Sequence, residues 1–172
     1  ALLAGSPAER SDWSDFNSGP DPFKVSEGWK AANGVLAGNG KEETLTFNAS
    51  GIEEIAFLFR FPKPDFRLVL TAGDADLRLE PSRPRFDLLV KREGSTPLQK
   101  ALKEKGDELR ARDWHLLRAR FDGTNVTVWL DGEESGSMAM ASRPDGFTLT
   151  LAGVSQTQTG VADLDCVLVK RK

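Results

Sequence analysis

Hydrophobic and polar residues alternate along most of this chain with a period of two. Ile55, Phe57, Phe59 and Phe61 fall on one side of their run, with Glu54, Ala56, Leu58 and Arg60 on the other. Phe66, Leu68 and Leu70 repeat the pattern opposite Arg67, Val69 and Thr71. Further apolar sets are Leu77/Leu79, Phe86/Leu88/Val90, Leu117/Ala119/Phe121, Val126/Val128/Leu130, Phe147/Leu149/Leu151 and Leu164/Cys166/Leu168. Successive side chains of a strand point to opposite faces, so each run buries one face and wets the other. Asn33-Gly34, Asn39-Gly40, Asp122-Gly123, Asp131-Gly132 and Asp145-Gly146 punctuate the runs, and such pairs adopt positive φ at hairpin turns. Roughly eleven strands at this spacing predict an antiparallel all-β protein, folded as a two-sheet sandwich.

One stretch departs from the alternation. In STPLQKALKEKGDEL, Ser95 or Thr96 can cap a helix, Pro97 suits its first turn, and Leu98, Ala101 and Leu102 form a narrow stripe. This predicts a short inserted helix near 96–105. Pro81 and Pro84 cannot donate to a strand ladder, so RLEPSRPRFD is expected to be a turn or an edge crossing. No repeat or low-complexity linker divides the chain. Residues 12–172 are therefore expected to form one domain behind a flexible segment, 1–11.

At 172 residues, with 39% hydrophobic and 28% charged residues, the chain can bury a substantial core. A net charge of −3 argues against nucleic acid as the main ligand, which needs a basic surplus. No stretch approaches the ~18 apolar residues of a membrane span. The opening ALLAGSPAER has no methionine. A removed secretory leader would explain that and predicts a secreted, cell-surface or periplasmic protein; a trimmed chain is the other explanation. Cys166 stands alone, which excludes an internal disulfide, and its apolar neighbours predict a buried thiol.

Four segments in order, FKVSEGWKAANGVLAGNGKEETLTF, IEEIAFLFRF, DWHLLRARFDGTNVTVWLDGEESG and GVADLDCVLVKRK, carry a further signal. Together they resemble the concanavalin A-like lectin/glucanase superfamily, with laminin-G-like domains and 3-keto-disaccharide hydrolases nearest in pattern. The resemblance spans about residues 12–172 and is strongest from Trp114 to Gly132. It implies a jelly roll of two curved sheets. Calcium is the one cofactor it suggests, at the rim, and no dense acidic loop demands it. The hydrolases' Asn-Ser-Gly-Ile segment after the Phe59-Arg60-Phe61 strand is missing, and PRFDLLVKRE replaces their acidic middle strand. The resemblance therefore hands over no catalytic residue.

The chemistry is left to side chains out of phase with the core. His115 shares a face with Leu117, Ala119 and Phe121, which predicts a buried structural histidine. Asp163 and Asp165 are the catalytic candidates if the chain is an enzyme, because retaining glycoside hydrolysis needs two carboxyls about 5 Å apart. Glu53/Glu54 and Asp74/Asp76 are the other pairs, the last placed in a solvated turn. The wet positions also gather Trp129, Arg118, Arg120, Arg60, Arg67 and Arg78, with Thr71, Glu80, Asp87, Thr148 and Thr150 around them. An aromatic ring stacks on a pyranose while arginines and acids hold its hydroxyls, so the first six are the predicted ligand-binding set. Arg118 packed over Trp129 is the competing explanation for that tryptophan. Trp13, Trp29 and Trp114 are expected to be core or strand-closing residues. The expected function is a non-catalytic, lectin-like carbohydrate-binding module outside the cell. A sugar hydrolase or lyase using Asp163 or Asp165 is the first alternative. A structural subunit packing its strand edges and arginine-rich face on other protein chains is the second.

Overall fold

The computed structural model describes residues 10–81, 85–92, 95–101, 110–155 and 157–171. The strands are β1 (Arg10–Ser14), β2 (Lys24–Val25), β3 (Trp29–Ala32), β4 (Val35–Gly40), β5 (Glu42–Asn48), β6 (Ile52–Arg60), β7 (Phe66–Ala72) and β8 (Ala75–Glu80). They continue with β9 (Arg85–Arg92), β10 (Ser95–Ala101), β11 (His115–Phe121), β12 (Asn125–Leu130), β13 (Glu133–Ala139), β14 (Gly146–Gly153) and β15 (Gly160–Arg171). The first sheet has the order β13-β12-β11-β6-β15-β4-β3, with β1 also on β15; the second is β10-β9-β8-β7-β14-β5-β2. All pairings are antiparallel.

The alternation sets the core. Ile55, Phe57, Phe59, Leu117, Ala119, Val126 and Val128 point inward from the first sheet. Phe66, Leu68, Leu70, Leu77, Leu79, Phe86, Leu88, Leu149 and Leu151 meet them from the second, all buried. A run of rings joins the layers, with centroids 6.1 Å apart for Phe57–Phe59, 6.4 Å for Phe59–Phe61 and 4.8 Å for Phe61–Phe66. Each buried phenylalanine contributes about 1.5–3 kcal/mol of transfer free energy.

Three local expectations need correction. Ser95–Ala101 is a strand and not the start of a helix, pairing Leu98 with Val90 and Ala101 with Asp87. A register shift between Ser95 and Leu98 takes in Pro97, which at an outer edge needs no ladder donor. The rest of the expected helix, like segment 1–9 and Pro84, lies outside the described residues. Arg10 and Ser11, expected in a flexible segment, pair with Arg171 and Lys170.

Cys166 is exposed, contrary to its apolar surroundings in sequence. The register of β15 on β6 shifts between Asp165 and Leu168, and Cys166 has φ 48°. One extra residue there reverses the alternation, so Val167 and Val169 face the core in place of Cys166 and Leu168. The bulge falls where β15 leaves β4, its partner up to Leu164, and takes up β1 from Val167 onward.

The β11–β12 turn yields a pH prediction. Asp122 Oδ1 accepts bonds from Thr124 N (2.8 Å), Thr124 Oγ1 (3.0 Å) and Asn125 N (2.7 Å). The backbone N–H of Thr124, then that of Asn125, holds this carboxyl below its ordinary range. A depressed folded pKa contributes stability above the unfolded value, and that stability is lost as pH falls through the folded one. Melting curves of wild type and Asp122→Ala should therefore differ by a constant amount near neutrality and converge as the pH drops below the usual carboxylate range.

Candidate substrate cleft

The six predicted ligand-binding residues divide between opposite outer surfaces. Trp129, Arg118, Arg120 and Arg60 lie outward on the first sheet; Arg67 and Arg78 lie outward on the second. Trp129 is opposite Arg118, whose guanidinium carbon sits 4.9 Å from the ring centroid. The Arg118 Nε donates to the buried Glu54 carboxylate, and Lys170 Nζ stands 3.4 Å from the other Glu54 oxygen. Arg60 covers Trp114 at 4.5 Å and donates to Asp163 at 2.8 Å. Asp165 accepts the backbone N–H of Cys166 at 2.7 Å. Asp163 and Arg60 border a groove of about 300 Å³. Arg118 and Trp129 thus satisfy one another, and Trp129→Ala should lower stability by about 0.5–1 kcal/mol, readable in urea unfolding.

Two tryptophan expectations change with this packing. Trp29 is buried as expected, with Gly38 opposite it because a Cβ there would run into the Trp29 ring and Leu151. Trp13 is 52% exposed and Trp114 36%, so neither belongs to the core. Trp13 pairs across from Leu168, on the outward side that the β15 bulge defines.

His115 is buried beside Phe59 and Phe61, at 5.5 Å and 5.9 Å between centroids. Its Nε2–H donates to the Arg110 carbonyl at 2.9 Å, and Nδ1 lies 2.9 Å from Asp131 Oδ2. It is buried, as its apolar face predicts. No group of three or more His, Cys, Asp or Glu side chains among the described residues is placed to hold a metal ion.

The second sheet carries the larger opening, a cleft of about 690 Å³. Its lining follows from the register. One row across the sheet is Thr44, Thr150, Val69, Arg78 and Asp87; beside it run Glu42, Ala152 and Arg67. Lys41, Val154 and Ser155 close one end from the loops before β5 and after β14. Gly153 lets the second loop fold tightly, since a Cβ there would collide with the Gln158 backbone.

Acidic side chains surround Arg78 at the edge of this cleft. Asp76 and Glu80 flank it on β8, and Asp87 stands directly across on β9. All three are buried, although they belong to the outward alternation. Asp76 Oδ2 is 3.5 Å from Arg78 Nη2, while Asp76 Oδ1 is buried without a hydrogen-bond partner among the described residues. Asp87 is diagonal to both Asp76 and Glu80, a spacing of about 7–8 Å between cross-strand neighbours. Asp76 was expected in a solvated turn, yet only Gly73 and Asp74 form that turn, and Asp76 already pairs with Thr71. The available signal was the phase of Asp76-Leu77-Arg78-Leu79-Glu80, which puts three charges on one face.

The architecture is the concanavalin A-like jelly roll shared by lectins and glucanases. No protein-family model and no curated protein matches the chain. Among solved structures, it is similar to the laminarinase catalytic domain of Thermotoga maritima MSB8, with TM-score 0.71 and 13% identity over 94% of this chain and 97% of that one. The β-glucanase of Bacillus licheniformis gives TM-score 0.70 and 11% identity, covering 92% and 97%. The κ-carrageenase of Pseudoalteromonas carrageenovora, in complex with an oligotetrasaccharide of κ-carrageenan, gives 0.63 and 12% over 99% and 98%. At such identities the likeness establishes the fold. It also corrects the functional expectation: these neighbours are catalytic glycanases, which favours the hydrolase alternative over a non-catalytic lectin-like module.

Proposed function

We propose that this chain is a sugar hydrolase whose glycan substrate lies in the cleft of the second sheet. One observation carries the reading: Asp76 and Asp87 sit buried on one sheet face, as the strand and cross-strand neighbours of Arg78, which lines the cleft. Glycoside hydrolysis uses two carboxyl groups about 5–5.5 Å apart for retention and about 6.5–9.5 Å apart for inversion, and a diagonal cross-strand pair falls within that reach. Asp76 is assigned the proton transfer to the leaving oxygen, because its side chain keeps some exposure, 11%, beside the cleft-lining Arg78. Asp87 then serves the anomeric carbon, as nucleophile or as base for the attacking water. The glycosidic C–O bond breaks, the departing sugar takes the proton, and water supplies the new hydroxyl. Arg78, lining the cleft between the two, orients both carboxylates and the substrate's hydroxyls.

A polymeric glycan is too large to cross a membrane unaided, which supports a secreted or cell-surface site of action. No described helix is long and apolar enough to cross a membrane. The test is release of reducing ends from a panel of β-glucans and galactans, with products identified by mass spectrometry. Defined oligosaccharides are expected from at least one polymer. A folded, monodisperse preparation that releases nothing from any of them would overturn the proposal.

A further inference from the structure

We infer that the cleft selects a glycan bearing anionic groups, sulfate esters or uronate carboxylates, through Lys41 and Arg67; this deepens, and rests on, the proposed hydrolase reading. Three cations line the cleft, Lys41, Arg67 and Arg78, with Glu42 the one lining anion, while Asp76, Glu80 and Asp87 gather around Arg78 at its edge. Arg78 is engaged by Asp76 at 3.5 Å. Lys41 and Arg67 form no ion pair among the described residues, and both are exposed. They reach the same cleft from different elements, Arg67 from the floor strand β7 and Lys41 from the loop entering β5, with Ser155 on the facing rim.

The chain as a whole carries net charge −3, so two unpaired cations, Lys41 and Arg67, at one end of this cleft are a local departure from the background. A guanidinium presents a planar fork that matches a sulfate or carboxylate with two parallel bonds, whereas a neutral hydroxyl takes only one. A lysine at the rim adds a mobile point charge for the same group. The anionic substituent would sit toward the Lys41–Ser155 end, one register row from Arg78. The sugar ring carrying the scissile bond would then lie over Arg78, between Asp76 and Asp87.

The experiment compares a sulfated galactan, a polyuronate and a neutral β-glucan as separate arms, each measured for hydrolysis and for retention in an affinity gel. Wild type is set beside Arg67→Gln and Lys41→Gln, whose melting temperatures confirm folding. Wild type should prefer at least one acidic polymer to the neutral one by about tenfold or more in kcat/KM, a preference worth about 1.4 kcal/mol. Arg67→Gln should raise KM on that polymer by a similar factor with little change in kcat, and added salt should do the same to wild type. Equal or better use of the neutral glucan by wild type overturns the inference and leaves the hydrolase reading standing. Retention of an acidic polymer that Arg67→Gln abolishes, without any hydrolysis, overturns the hydrolase reading and supports the inference. No retention and no hydrolysis overturns both.

Discussion

Asp87→Asn should lower hydrolysis of a susceptible glycan by about 10²–10⁴-fold, the range a positioned acid–base group supplies. Asparagine keeps the size of the side chain and one acceptor oxygen, so the sheet should hold. It can neither take a proton from water nor form a glycosyl ester. Asp76→Asn should fail to a comparable degree, and the double variant should be little worse than either, because groups acting on one bond are not additive. Asp163→Asn is the informative control. Asp163 belongs to the other sheet and is tied to Arg60 at 2.8 Å, so its loss should leave the rate near that of wild type. Full activity in Asp87→Asn together with a dead Asp163→Asn would move the chemistry to the first sheet and overturn the cleft assignment.

That contrast shows what alternation can and cannot reveal. A period of two states which residues leave the core, and it did so correctly for Arg67, Arg78, Arg118 and Trp129. It does not state which of two outer faces they reach. That depends on strand order, and strand order is fixed by pairings as distant as Asp163 with Arg60. Arginines that look like one set along the chain therefore end up on opposite sides of the sandwich.

The failures inside single strands have equally local causes. A bulge at Cys166 shifts the phase by one residue, and nothing in LDCVLV announces it, since every residue after Asp165 is apolar. Ser95–Ala101 has a cap and a stripe suited to a helix, but its register beside β9 overrides that weak propensity. Asp76 was misplaced because Gly73 and Asp74 alone complete the turn, which lets β8 begin earlier than the polar composition implies. The place of Asp76 on β8 is what turns Glu80 and Asp87 from surface charges into a cluster around Arg78.

His115→Ala should cost about 2–5 kcal/mol, combining a cavity among aromatic rings with the loss of two hydrogen bonds. The ring fills space beside Phe59 and Phe61 and ties two segments outside its own strand, the Arg110 carbonyl and the Asp131 turn. Asp131 has φ 51° and also accepts the backbone N–H of Leu116 at 2.8 Å, so this turn is held at both carboxylate oxygens. At about 2–4 °C per kcal/mol for a chain of this size, the melting temperature should fall by about 4–20 °C. His115→Phe separates the two contributions, since it fills the volume but strands the Arg110 carbonyl and Asp131, and should cost about 1–3 kcal/mol. Assayed below its melting temperature, His115→Phe should hydrolyse glycan at close to the wild-type rate, because the histidine lies in the core end of the first sheet and lines neither opening. A folded His115→Phe protein without activity would contradict the purely structural role and reopen histidine chemistry for this fold.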